Sequence, residues 1–283
     1  MNIRIDRLPK KGDTVPHLHH YLKQIMSVHA IIVGHLDNLM HQHNCRLLFA
    51  GESGSRAWGL QSPDSDYDVR CIYAHSPQWY CSIEDRRETI ETVFPDDIDI
   101  AGYELRKALR LFSTCNIPIN EQILNPVCYG GDPVFLERIR SLIPVYFNKN
   151  RALLHYTNVA TQAIAQVQGL TIGLHRVFYI IRPLLACEWI EKHGSMPPTE
   201  FQQLLEADFL PLPLVNEVSE IMRRKLITVT VDREELTLSK DLLYWMTESL
   251  KQHQETLRLL PTGPTAVSFE PLNELFRSYI KDA

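Results

Sequence analysis

The sequence predicts an α+β protein, with a small sheet in its first half and a mostly helical second half. Two observations predict it. Short apolar or alternating runs, bounded by Gly, Pro and Asp, fill residues 46–105. From Arg151 onward the apolar residues recur at helical spacing, punctuated by Gly169, Gly173, Gly194, Pro197, Pro198, Pro211 and Pro213.

The elements follow in order. Leu18, Leu22, Ile25, His29, Ile32, Leu36 and Leu39 step by three and four, one apolar stripe of a helix over residues 18–43. "RLLFAG" (46–51) is a short buried strand stopped by Gly51. "DYDVRCIY" (66–73) alternates and is rich in β-branched and aromatic residues, a second strand. "RETIETVFPDDIDIAGYEL" is two strands joined at the Pro95-Asp96-Asp97 turn, running into a helix from Tyr103 to Cys115. Five later segments carry helical periodicity, and "ITVTV" (227–231) is the strand-like piece among them. A boundary falls near residue 147, dividing 1–147 from a helical 148–283.

The chain has 283 residues, 45% apolar and 22% charged, the balance of a protein with a real core. A net charge of −5 excludes a protein that coats nucleic acid non-specifically, though not a local basic groove. The six cysteines lie apart, without metal-finger spacing, and are expected to be buried, reduced thiols. The start lacks an apolar leader, and no run of about 18 apolar residues occurs. A soluble, cytoplasmic protein is expected, with no membrane partner.

The stretch "GESGSRAWGLQSPDSDYDVR" (51–70) carries the chemistry. It fails as a nucleophile elbow because Ser55 stands where a glycine is needed. It fails as a Walker A loop because Gly59 is followed by Leu60-Gln61. As a calcium loop it has Val69 at the sixth position and His75 at the twelfth. What survives is Gly54-Ser55, a gap, then Asp66-Tyr67-Asp68. Strand alternation would put Asp66 and Asp68 on one face, roughly 7 Å apart. Two carboxylates so placed repel unless a cation joins them, which suits Mg²⁺. Gly54 would let backbone approach a phosphate closely, with the Ser55 hydroxyl bonding its oxygens.

The pattern resembles the signature of the DNA polymerase β nucleotidyltransferase superfamily, and "GSRAWGLQSPDSDYDVR" resembles its RlaP-type RNA-repair family. "LRKALRLFSTCNIPINEQI" (105–123) and "FYIIRPLLACEWI" (178–190) resemble further stretches of that family, with Asn116-Ile117-Pro118 where Asn-Pro is expected. The likeness covers residues 46–195. It implies a small mixed sheet flanked by helices, a helical partner domain, and nucleotidyl transfer between them. By analogy Asp66 and Asp68 ligate two Mg²⁺ (Mn²⁺ as an alternative). Asp99, within Ile98-Asp99-Ile100, would supply the third carboxylate and accept the proton of the attacking hydroxyl.

Other residues admit plainer readings. Arg56 reaches the phosphates or is a solvated turn residue. Ser65 orients Asp66 or simply suits a turn. Lys107 matches the family's helix motif and is expected at phosphate, whereas Arg110 is an ordinary solvated charge. Arg182, inside an apolar run, is a buried ion pair or a nucleotide contact. Glu121 is a cap or salt-bridge residue or a functional one; Glu52 flanks the turn. Trp58 is core or rim before it is a base-stacking residue. His17, His19 and His20 are expected in a mobile polar segment.

Three functions compete: transfer of NMP from an NTP to an RNA 3′ end, the same transfer to a protein hydroxyl, and nucleotide or RNA binding without turnover. The intact carboxylate set favours the first two.

Overall fold

The computed structural model describes residues 15–95, 97–230, 234–260 and 267–281, with 15–27 as backbone alone. The chain divides into two units, residues 1–44 and 45–283. The first contains α1 (Val15–Gln42), which ends as Asn44 enters the left-handed region at φ 48°. Its Ile32, Leu36 and Leu39 are buried, the stripe the spacing predicts. Backbone at His17, His19 and His20 is helical, and their side chains lie outside the described residues.

The second unit opens with β1 (Cys45–Glu52), α2 (Gly54–Ala57), β2 (Tyr67–His75), α3 (Pro77–Tyr80), β3 (Thr89–Phe94) and β4 (Ile98–Glu104). Next come α4 (Leu105–Ser113), α5 (Ile117–Leu124), β5 (Cys128–Gly131), α6 (Pro133–Tyr146), α7 (Lys149–Ile164) and β6 (Thr171–Gly173). It closes with α8 (Phe178–His193), α9 (Phe201–Leu205), α10 (Leu212–Ile227), β7 (Glu235–Thr237), α11 (Lys240–Leu259) and α12 (Glu270–Ile280). The five-stranded sheet has the order β3-β4-β2-β1-β5. Its β2–β4 pairing is parallel and the other three are antiparallel, so the sheet is mixed. The α+β class and the mixed sheet hold.

Local chemistry sets the helix starts. The Glu104 carboxylate accepts the Arg106 and Lys107 N–H groups at 2.6 and 3.1 Å, capping α4 as β4 runs into it. Asn116 caps α5 through Ile119 N–H, with Pro118 in the first turn, so the Asn-Ile-Pro departure serves as a helix start. Asp132, Asn148 and Ser239 cap α6, α7 and α11 in the same way.

One apolar cluster joins Leu48, Phe49 and Ile72 of the sheet to α4, α5, α6, α7 and α12. A second gathers Leu60 with α7, α8, α9, α10 and α11. Helix α8 belongs to both: Ala186, Cys187 and Ile190 face the first cluster and Ile180, Ile181, Leu184 and Leu185 the second. Residues 180–187 of α8 are buried on every side, as a stretch packed into two clusters must be. This arrangement holds Arg182 in an apolar wall.

Two expectations change. "ITVTV" is not a strand over its described residues: α10 runs through Ile227, and the second sheet is β6 with β7, eight residues downstream of Ile227. Residue Val231 lies outside the described residues. All six cysteines are free thiols, but only Cys71, Cys115 and Cys187 are buried, while Cys81 and Cys128 are exposed. Among the described residues no helix is long and apolar enough to cross a membrane.

Candidate active site

The parallel register of β2 and β4 sets Asp68 beside Asp99 and Arg70 beside Ala101. Alternation puts Asp68 and Arg70 on one face. The small Ala101 lets the long Arg70 stem lean back toward Asp99. Arg70 Nη2 donates to Asp99 Oδ2 at 2.9 Å and to Asp68 Oδ1 at 3.4 Å. Its Nη1 donates to the carbonyls of Val69 and Asp99 at 3.0 and 3.2 Å. Two carboxylates on neighbouring strands thus share one cationic group.

Asp66 lies just before the strand. Strand β2 begins at Tyr67, so the alternation argument does not extend to Asp66, which is exposed. Nor does it extend to Asp97, which sits in the turn before β4 at φ 55° with its carbonyl accepting Tyr67 N–H at 2.8 Å. Neighbouring Asp96 lies outside the described residues. Among the described residues no three His, Cys, Asp or Glu side chains converge tightly enough to hold a metal ion. Asp68 and Asp99 nevertheless fit one, since they already close on a single cation; Asp66 would have to turn toward them.

Gly54 opens α2 beside Asp68. Its φ is +62°, and a Cβ there would meet Asp68 Oδ2 at 2.6 Å, so conformation and space both require glycine. Ser53 N–H donates to the Asp68 carbonyl at 2.8 Å, locking the turn to the strand. Ser55 Oγ donates to Ser65 Oγ at 3.3 Å, and Ser65 Oγ also accepts Ser62 N–H at 2.9 Å. The Ser65 hydroxyl therefore knits the 62–65 turn. Arg56 lies 3.6 Å from the Tyr67 ring centroid and donates to the carbonyls of Ser65 and Asp66 at 2.6 and 2.9 Å. It clamps the loop that carries Asp66.

Beside Gly54 opens a cleft of about 240 Å³, walled by Trp58, Glu121, His155, Tyr156, Tyr179 and Arg182 among others. Arg182 is 2% exposed; its Nη2 donates to Glu121 Oε1 at 2.8 Å, and its Nε and Nη2 donate to the Thr199 carbonyl. Tyr156 Oη donates to the same Glu121 oxygen at 2.6 Å, and the guanidinium lies 4.5 Å from the Trp58 ring centroid. Of its two readings, the ion pair is present, and it forms a wall of the cleft. Glu121 is a salt-bridge residue. Burial holds the His155 imidazole below its usual pKa. Lys107 is not among the cleft's lining residues; its ammonium lies 5.7 Å from the Tyr103 ring centroid.

Glu52 is the residue that sequence reasoning undervalued. It is 0% exposed, and its carboxylate accepts Asp68 N–H at 2.7 Å and the Tyr129 hydroxyl. Burial raises its pKa against those hydrogen bonds. It thus braces the backbone of Asp68 from behind. The available signal was its place at the end of the interior strand β1, where a charged residue needs partners.

A family model described as "RlaP: RNA repair pathway DNA polymerase beta family" matches residues 28–278. A Bacillus subtilis (strain 168) protein, "Uncharacterized protein YcgL", is 39% identical over 195 residues, 69% of this chain and 75% of its own. A solved structure of a nucleotidyltransferase-like protein from Exiguobacterium sibiricum 255-15 covers 87% of this chain and 80% of its own, with 10% identity and a TM-score of 0.30.

Proposed function

The chain belongs to the RlaP family, of the polymerase β nucleotidyltransferase type, and we propose that it moves NMP from an NTP to the hydroxyl of an RNA 3′ end. The observation that carries this reading is the Asp68–Asp99 pair closing on one cation beside Gly54 and the cleft. Asp68 and Asp99, joined by Asp66, are the residues that would hold Mg²⁺ or Mn²⁺. When bound, the metal supplies charge neutralisation for in-line displacement at a phosphorus centre.

The chain's own groups do the rest. Gly54 keeps the α2 backbone flush against Asp68, and Ser55 offers a hydroxyl to phosphate oxygens. Asp99, fixed by flanking Ile98 and Ile100 at 0% exposure, accepts the proton of the acceptor hydroxyl. That oxygen bonds the α-phosphorus as the bond to pyrophosphate breaks. Arg56 shapes the loop and Ser65 its turn. Trp58 and the Arg182–Glu121 pair wall the cleft that receives the nucleoside. The free thiols and the RNA-repair description of the family support a cytoplasmic setting.

The test is incubation of pure protein with each α-labelled NTP, Mg²⁺ or Mn²⁺, and either an RNA pool or a cell extract. Label on RNA 3′ ends, lost in Asp68→Asn, is expected. Label confined to protein would move the acceptor, and no label under any condition would refute transfer.

A further inference from the structure

Resting on the metal assignment above, we propose that Arg70 is a built-in counter-ion that holds the Asp68–Asp99 site closed until metal arrives together with nucleotide. The position follows from the strand. Residues 68 and 70 share a face, and the register puts Asp99 across from the first and Ala101 across from the second. The guanidinium reaches back between the two carboxylates, where its Nη2 meets both. Nη1 is anchored on the Val69 and Asp99 carbonyls. A planar fork with several donors suits this bridging, as a lysine would not.

Two consequences separate this role from a passive ion pair. A divalent cation entering alone must displace a guanidinium from the oxygens it needs, so the bare ion binds weakly. A cation entering with a triphosphate offers the released guanidinium a new anionic partner, and arginine forks match phosphate oxygens well. Metal and nucleotide then bind with positive coupling, each removing part of the other's cost. Arg70 is a positioning residue on this account: it acts through the two aspartates before nucleotide arrives.

The experiment titrates Mn²⁺ into the full-length protein by electron paramagnetic resonance, first without nucleotide and then with saturating NTP, in wild type, Arg70→Met and Arg70→Gln, with Asp68→Asn as reference. Nucleotide affinity is measured separately in Mg²⁺ with each of the four NTPs. Circular dichroism verifies folding, and Arg70→Gln carries the test if Arg70→Met is unfolded. The neutral variants should bind Mn²⁺ about tenfold tighter or more, the scale of one charge-assisted hydrogen bond removed from the competitor. They should bind MgNTP more weakly. Mn²⁺ affinity that is unchanged or lower in folded neutral variants overturns the counter-ion role and leaves the proposed transfer standing. If no variant shows Mn²⁺ binding that depends on Asp68, with or without NTP, the metal assignment fails and the transferase reading fails with it.

Discussion

Replacing Arg182 with methionine keeps the apolar stem within α8 and deletes the guanidinium. The side chain is 2% exposed and its partner Glu121 17%, so the change strands a largely desolvated carboxylate. Removing one member of a buried pair costs about 3–5 kcal/mol. Glu121 keeps the Tyr156 hydroxyl at 2.6 Å and some contact with water, which places the expected loss near the lower bound, about 3 kcal/mol. At about 2–4 °C per kcal/mol for a chain of this class, Tm should fall by about 6–12 °C. Glu121→Gln removes the stranded charge, so the double variant should recover about 1–3 kcal/mol relative to the sum of the singles. Urea and thermal melts followed by circular dichroism at pH 7 measure all four corners of the cycle. A single-variant cost below about 1 kcal/mol, the level of a solvated surface pair, or strict additivity in the cycle, would refute the buried wall described for the cleft.

Gly54→Ala should weaken MgNTP binding by tenfold or more, because the new Cβ displaces the Asp68 carboxylate and the αL backbone adds about 1–2 kcal/mol; Ser55→Ala should cost only about 0.5–1.5 kcal/mol. Equal, small effects in nucleotide titrations would detach this turn from the phosphate. Asp99→Asn should lower single-turnover transfer by several orders of magnitude, a larger loss than in MgNTP affinity, whereas Asp97→Asn, exposed in its turn, should be mild; the reverse pattern would mean the wrong carboxylate has been assigned. His253 provides a pH test: burial disfavours its imidazolium, but the Glu188 and Glu191 carboxylates at 3.5 and 3.0 Å outweigh that, and its pKa is raised. Its contribution is therefore full below the unfolded pKa of about 6.5 and is lost as pH rises through the higher folded value. The stability gap between wild type and His253→Gln should shrink from pH 6 to pH 8, and a gap that widens would contradict the ion pair.

Much of the sheet was legible because its signals are local. "RLLFA", "DYDVRCIY" and "IDIAGYE" read as strands by run or alternation, and they are β1, β2 and β4. The Pro-Asp-Asp stretch separates β3 from β4 as a turn should. β5 was not legible: "CYGG" lacks β-branched residues, and it is a strand because β1 offers it an edge. "ITVTV" misled for the opposite reason. Its alternation is genuine, but Ile227 completes α10 and Thr228 caps it, so the helix took the first residues. At the site, the grouping of Asp68 with Asp99 was expected only through the family resemblance, and the parallel β2–β4 register is what sets them side by side. The partners were not: Arg70 depends on Ala101 across the register, and Glu52 on a tyrosine 77 residues away.

Helix α12 packs against α4, α6 and β2, although it lies nearly two hundred residues beyond β2 in sequence. Tyr279 accepts Arg46 through its carbonyl at 3.1 Å, Ser278 accepts Arg138 at 2.8 Å, and the Tyr146 hydroxyl donates to the Ser268 carbonyl at 2.6 Å. Leu272 and Leu275, buried at 2% and 1%, belong to the apolar cluster beneath the strands that carry Asp68 and Asp99. During synthesis, then, the sheet emerges early and waits. The part of its underside that α12 covers stays open until residues 270–280 have been made, so the strands that carry the proposed catalytic carboxylates are fully backed only after α12 docks. A chain cut short before Glu270 holds every proposed catalytic residue and lacks the helix that backs their strands.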